Sequence, residues 1–382
     1  MVDAAGSENR RRRRSWRDAL RDWRMRTIAD PTFQRIASSF PLTRGIARRK
    51  GQALFDLCAG FVYSQILVAF VRLRVADRLA AGPRTVAALA ADLSLTPEAT
   101  ERLMRASCAL GLVETRGADG YALADLGAAM LGNAGVAEMV EHHAALYADL
   151  ADPVALLRGD TAGRALENYW GYGTAADAAS LGAERTGTYS ELMAASLPMI
   201  AEDVLDAYPM AGHRRLMDVG GGTGGFAAAA AARAPGLNVV TVDLPAVAAE
   251  AERRFETAGL GGRAQAVGLD FHRDPLPEGA DLISLVRVCF DHPDDRVAPL
   301  LARARAALAG GGRLLIAEAM TDADRPDAVG DAYFGFYLLA MGRGRCRSDS
   351  TLKTMLTDAG FRAVREIPTR RPMLARLLVA DV

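Results

Sequence analysis

Three acids and a glycine turn in the second half of this sequence are spaced to hold a cationic nucleoside. Leu216-Met217-Asp218-Val219 is a short apolar run carrying an acid, and Gly220-Gly221-Gly222-Thr223-Gly224-Gly225 follows it. Glycines there let backbone approach a ligand closely and adopt positive φ. The Ala-rich helix starting near Phe226 presents free N–H groups at its first turn. A carboxylate just before the glycines suits a cationic or amino-bearing ligand rather than a phosphate. The next apolar run, Asn238 to Asp243, ends in an acid where a second-strand carboxylate meets ribose hydroxyls. A third run ends at Gly268-Leu269-Asp270-Phe271. That acid can accept from an exocyclic amine while the ring stacks on adenine.

Two further runs, Ala280–Val288 and Gly311–Glu318, complete an alternation of short apolar stretches and helical stretches from residue 213 onward. Such alternation predicts an α/β fold with a doubly wound parallel sheet. Phe361–Ile367 and Met373–Val379 are separated only by Pro368-Thr369-Arg370-Arg371-Pro372. That gap is too short for a parallel crossover, so the final strand is expected to run antiparallel.

This series resembles the class I S-adenosylmethionine (SAM)-dependent methyltransferases, whose Rossmann-like sheet has seven strands with one reversed. More narrowly it resembles the O-methyltransferase family that includes plant caffeate, acetylserotonin and bacterial polyketide enzymes. Met341 to Ser348, then Leu352 to Phe361, are similar to that family's final helix and strand. The resemblance implies S-adenosyl-L-methionine as cofactor. The expected contacts are Asp218, Gly220, Gly222, Asp243, Leu244, Asp270, Phe271 and Arg287.

The family's catalytic His follows strand four in a pattern like L-H-D-W. Here Val288-Cys289-Phe290-Asp291-His292-Pro293 puts Phe290 in the His slot, keeps Asp291, and has His292 at the Trp slot. Either His292 takes the proton from a shifted loop, or His142 or His143 does, or positioning alone suffices. Asp331 resembles the acid of a family helix near the acceptor, so His292, Asp291 and Asp331 are the catalytic expectations. In the resemblance, residues 131–212 line the acceptor pocket, with His142, His143, Tyr147, Tyr189 and Met193 as its expected wall. The aromatic run around Tyr333 to Tyr337 suits a long apolar acceptor better than a sugar or catechol.

Composition and charge fit this frame. The 382 residues are half hydrophobic and suggest about two domains. Net charge is zero but uneven, because residues 1–50 carry 14 basic and five acidic side chains. Trp16, Leu20 and Trp23 share one helical face of this basic segment, and Pro31 and Pro41 cut it into short helices. Such an arm is attracted to anionic lipid or nucleic acid. Cys58, Cys108, Cys289 and Cys346 form no CxxC pair. That argues against a metal cluster or disulfide scaffold and suits a reducing cytoplasm. Leu54–Leu73, interrupted by Asp56, Gln65 and Arg72, reads as a buried or amphipathic helix rather than a membrane span.

Residues 51–130 read as helix–turn–helix plus a β-hairpin wing, with Thr96 and Pro97 starting the second helix. A winged-helix regulator is therefore one reading. Its would-be recognition helix balances Glu98 and Glu101 against Arg102 and Arg105, whereas phosphate contacts need net positive charge. The resembled family uses this module to dimerise and to roof a partner's pocket, so a homodimer without nucleic acid is expected. The expected boundaries are thus 1–50, 51–130, 131–212 and 213–382.

Within the family, Phe33-Gln34-Arg35, Phe40 to Arg44 and Ala53 to Gln65 resemble the carotenoid-pathway O-methyltransferases of phototrophic bacteria. Those enzymes methylate the tertiary 1-hydroxyl of acyclic hydroxycarotenoids. A lipid-soluble acceptor would explain a basic, Trp-bearing arm as a peripheral membrane contact. Other readings are an enzyme methylating an aromatic polyketide or phenol, and a SAM-binding relative that has drifted to hydroxylation or decarboxylation.

Overall fold

A seven-stranded sheet carries the site, parallel except for one reversed strand, as the alternation and the short final gap predict. The computed structural model describes residues 16–118, 120–159, 164–166 and 197–382. The chain divides into two compact units, one running to Val75 and then over Pro83–Ala122, the other comprising Ala76–Gly82 and Leu123–Val382.

In the first unit, Pro31 and Pro41 separate helices α1 (Trp16–Ala29), α2 (Pro31–Ser39) and α3 (Arg44–Arg72). Asp30 caps α2, its carboxylate accepting from Thr32 N and Phe33 N. The third helix is longer than expected, and of the two readings, buried or amphipathic, it is not the buried one. It begins ten residues before Leu54, because no proline interrupts the sequence between Pro41 and Pro83. Only Phe70 along it is buried, while Leu54, Leu57 and Phe61 stand exposed. By length and composition alone it could cross a membrane. The winged part follows as read. Helices Val86–Leu93 and Pro97–Ala109 start on Thr85 and Thr96, whose hydroxyls accept from Ala88 N and Ala99 N. Strand β1 (Arg84–Thr85), which the sequence did not suggest, pairs with β3 (Gly120–Leu123), and β3 with β2 (Val113–Arg116).

In the second unit the strands are β4 (Arg215–Val219), β5 (Asn238–Asp243), β6 (Ala264–Gly268), β7 (Ala280–Val286), β8 (Leu308–Glu318), β9 (Arg362–Ile367) and β10 (Arg376–Asp381). Their order is β6-β5-β4-β7-β8-β10-β9, and β10 runs antiparallel to both neighbours. Side chains alternate between two buried faces, as a helix-covered parallel sheet requires. Leu216, Val239, Leu282 and Leu315 pack with Phe226, Ala230 and Phe255 on one side. Met217, Val240, Ile283 and Leu314 pack with Val297, Leu301 and Leu352 on the other. The two compact units meet at Ala122/Leu123. Helices Ala134–Asp149 and Pro153–Leu157 belong with the sheet, because Leu146 and Leu156 pack into one cluster with Phe290, Tyr337, Leu338 and Met341.

Candidate functional site

Strand β4 pairs with β5 on one side and β7 on the other, so the strand order reverses there and leaves a crevice at the carboxyl ends. The glycine turn fills that place. Gly220, Gly222 and Gly224 all have positive φ. A Cβ on Gly221 would run into the Asp218 carboxylate, and one on Gly224 would lie 2.6 Å from the Phe255 ring. At Gly222 a Cβ would meet nothing, so this glycine borders open space.

Asp218 is fully buried. Its Oδ1 accepts from Ser284 Oγ at 2.6 Å, while Oδ2 has no partner. Burial pushes its pKa up to about 7. Asp243 at the end of β5 accepts from Gly222 N and Leu244 N, both at 2.8 Å, and burial raises it to about 6. An orphaned buried carboxylate oxygen beside an open glycine turn fits a cationic ligand. Asp243, fixed by two backbone donors, keeps lone pairs for ribose hydroxyls.

Asp270 and Phe271 begin the turn after β6. Asp270 Oδ1 accepts from His272 N at 2.9 Å, and Oδ2 lies 3.5 Å from Arg273 Nε. Phe271 leans on the glycine turn, 3.6 Å from where a Gly220 Cβ would be. His292 meets the Phe271 ring edge-on, and its Nε2 lies 3.4 Å from His272 Nε2. Burial lowers His292 to about 3 and His272 to about 4, with Arg296 and Arg343 adding to both shifts. Both rings are neutral at pH 7.

The turn Cys289–Asp291 divides two environments. Phe290 faces Phe334 edge-on at 5.7 Å, in the aromatic cluster, whereas His292 turns back to Phe271. Asp291 is buried between the charges of Arg343 and Arg287, its Oδ1 without a partner, and burial raises it to about 7. Arg287 occupies a left-handed backbone conformation, its N–H donating to Ala317 O at 2.8 Å.

Residues that sequence reasoning missed hold this turn. Arg347, only 1% exposed, donates to Asp294 Oδ1 (2.7 Å), Cys289 O (2.8 Å), Arg345 O (3.2 Å) and His292 O (2.7 Å). Buried Glu318 at the end of β8 accepts from Phe290 N at 3.0 Å, and burial pushes it up to about 8. The available signals were an acid closing a buried strand and the run Gly342-Arg343-Gly344-Arg345-Cys346-Arg347.

The aromatic wall comes from two segments. Helix Ala134–Asp149 supplies His142, His143 and half-buried Tyr147, and the Ala328–Met341 segment supplies Tyr333, Phe334 and Tyr337. His142 Nε2 pairs with Tyr337 Oη at 2.7 Å, and His143 Nε2 with Tyr333 Oη at 2.8 Å. Asp331 is exposed, and its carboxylate accepts from Asp327 N at 2.9 Å. That contact makes it a local helix-start partner. Tyr189 and Met193 lie outside the described residues.

Residues 147–362 match the sequence model of the O-methyltransferase domain, and residues 55–133 that of the O-methyltransferase dimerisation domain. The chain belongs to the O-methyltransferase family. It is 46% identical over 356 residues to demethylspheroidene O-methyltransferase of Cereibacter sphaeroides, covering 93% of each chain. It is 42% identical over 348 residues to the Rhodobacter capsulatus protein of the same name, covering 91% of this chain and 86% of that one. The solved structure of human N-acetylserotonin methyltransferase in complex with SAM matches with a TM-score of 0.71 at 26% identity. It covers 87% of this chain and 97% of that chain. This O-methyltransferase therefore uses SAM, and its helix–turn–helix and wing are a dimerisation domain rather than a regulator's reading head.

Proposed function

We propose that this O-methyltransferase methylates the tertiary hydroxyl of an acyclic hydroxycarotenoid, the demethylspheroidene-type step of carotenoid biosynthesis. The observation that carries the reading is Phe290, an apolar ring in the family's base position that packs on Phe334 within an aromatic cluster. An alcohol too weakly acidic to be deprotonated in advance has little use for a base there and much use for apolar surface. The two relatives named for demethylspheroidene support the same acceptor. Bound at the glycine turn, SAM supplies a methyl already activated on a sulfonium. The protein's task is then to hold the acceptor oxygen in line with it. Asp218, Gly220, Gly222, Asp243, Leu244, Asp270 and Phe271 would bind that cofactor, and His142, His143 and Tyr147 would border the acceptor. Turnover on a panel of acyclic hydroxycarotenoids, flavonoids and anthracyclines tests the reading. Preference for a phenolic acceptor would overturn it. Phe290 also favours a second reading, drift to hydroxylation, which predicts an oxygenated product with SAM left unconsumed.

His292 belongs to the adenine side rather than to proton transfer, since its neighbours are Phe271 and His272. His292→Ala is expected to weaken SAM binding by about 1 kcal/mol through the lost aromatic contact, with kcat reduced less than about tenfold. Titration calorimetry beside steady-state kinetics checks both numbers. Complete loss of turnover with SAM binding intact would return the base role to His292.

The middle of α3 supports a homodimer, because its exposed Leu54, Leu57 and Phe61 form apolar surface that a lone chain leaves open. Light scattering at micromolar concentration is expected to give twice the chain mass. Helices α1 and α2 offer a lipid contact. Trp16 is 71% and Trp23 60% exposed, among Arg17, Arg21, Arg24 and Arg26. The protein is expected to sediment with anionic vesicles, less so with zwitterionic ones, and to be released by salt. Equal recovery with both vesicle types would contradict this.

A further inference from the structure

Two Tyr–His pairs stand side by side in the aromatic wall. Tyr333 and Tyr337 lie four residues apart and stack with centroids 6.0 Å apart, while His142 and His143 are consecutive on the facing helix. The pairs differ in access. Tyr337 is 6% and His142 8% exposed, which makes theirs an inner, structural pair. Tyr333 and His143 are only half-buried. Tyr333 also lies 5.0 Å from Phe334, the ring that meets Phe290 from the turn after β7.

We propose that Tyr333 is a catalytic residue that accepts the acceptor's hydroxyl proton, with His143 as the positioning residue that takes up Tyr333's own proton. The proposal rests on the reading of a hydroxyl acceptor. Burial pushes Tyr333 up to about 12, against the opposing charge of Arg287, and burial lowers His143. At neutral pH the phenol is therefore protonated and the imidazole neutral, so Tyr333 Oη can donate to His143 Nε2. Its lone pairs then remain to accept from a hydroxyl. Met139 Sδ, 3.6 Å away, is a weak competing acceptor.

The atoms balance. A carbon–oxygen bond forms as the carbon–sulfur bond of the sulfonium breaks. The hydroxyl proton passes to Tyr333 Oη while the phenolic proton passes to His143 Nε2. The positive charge that leaves sulfur ends on the imidazolium. No oxidant or metal enters. The transfer comes late, which suits an alcohol that gains acidity only as its oxygen becomes positively charged.

Tyr333→Phe removes the hydroxyl and keeps the ring, and His143→Gln removes the proton acceptor. Each is expected to lower kcat by roughly 10²-fold, with SAM affinity, acceptor KM and melting temperature near wild type. The double variant should be no slower than the slower single one, because the two act as a unit. Added imidazole should restore part of the activity of His143→Ala, a response that packing alone would not give. Single-variant kcat values within about twofold of wild type, or losses that multiply in the double variant, would overturn the pair. The assay uses whichever hydroxyl acceptor the wild-type protein turns over. Rejection of carotenoids by wild type therefore reports on the acceptor reading, and unchanged kcat in the variants reports on the pair.

Discussion

Asp243→Ala is expected to weaken SAM binding by about 2–4 kcal/mol, or roughly 30- to 700-fold in Kd. The side chain does two things at once. It ends β5 with a carboxylate fixed by Gly222 N and Leu244 N, and its remaining lone pairs would accept from two ribose hydroxyls in the proposed site. Truncation would remove the proposed ribose contact and frees the N–H of Gly222, the residue that borders the open face of the turn. The fold should survive, because the sheet's cores on both sides of β5 are apolar and untouched. Burial holds Asp243 at about 6 and Asp218 at about 7. A cation binds their ionised forms, so SAM affinity is expected to rise with pH through this range and to fall below it. In Asp243→Ala the part of that dependence centred near 6 should vanish. Calorimetric titrations of both proteins across pH 5–8 read this directly, and unchanged affinity at pH 8 would remove Asp243 from the site.

Arg347→Met is expected to cost about 3–5 kcal/mol of folding stability, the range for breaking a buried charged network by deleting one partner. The guanidinium is buried and donates to three backbone carbonyls and to Asp294. Methionine fills similar volume but leaves Cys289 O, His292 O and Arg345 O without that donor, each in or beside the turn that carries Phe290. Arg345 retains its own pair with Asp294 Oδ2 at 3.1 Å, so the carboxylate is not stranded. The urea midpoint should fall without a change in the slope. Because the same turn sets both Phe290 and His292, turnover should fall at temperatures where the variant is still folded. A loss under about 1 kcal/mol would show that the clamp is dispensable.

The glycine turn and the acids at the carboxyl ends of β4, β5 and β6 were legible because strand–turn–helix geometry is local, with each signal packed into a few consecutive residues. The reversed strand was legible for a similar reason, since the five residues between β9's apolar run and the last one leave no room for a crossover. The direction of His292 was not. The turn ends at Asp291 and His292 is already extended, with φ −123° and ψ 148°, so Phe290 and His292 serve different walls. Nothing in the order Phe-Asp-His says which wall is which. Arg347 and Glu318 escaped because their partners come from distant segments: Arg347 holds residues 289–294, and Glu318 holds Phe290. A pattern read along the chain carries no such pairing. Helix α3 was read as shorter and as buried or amphipathic, since apolar residues imply burial only if something covers them. Asp331 resembled an acid of the site by position, yet its carboxylate is engaged with Asp327 N four residues earlier.

The central claim is methyl transfer to an apolar hydroxyl acceptor. Incubation with methyl-labelled SAM and an acyclic 1-hydroxycarotenoid in detergent micelles tests it most directly. The label should appear in the methoxy group of the carotenoid, with one S-adenosylhomocysteine formed per ether. Tight SAM binding with no label transferred to the carotenoid, while a phenol or polyketide in the same assay is methylated, would contradict the account.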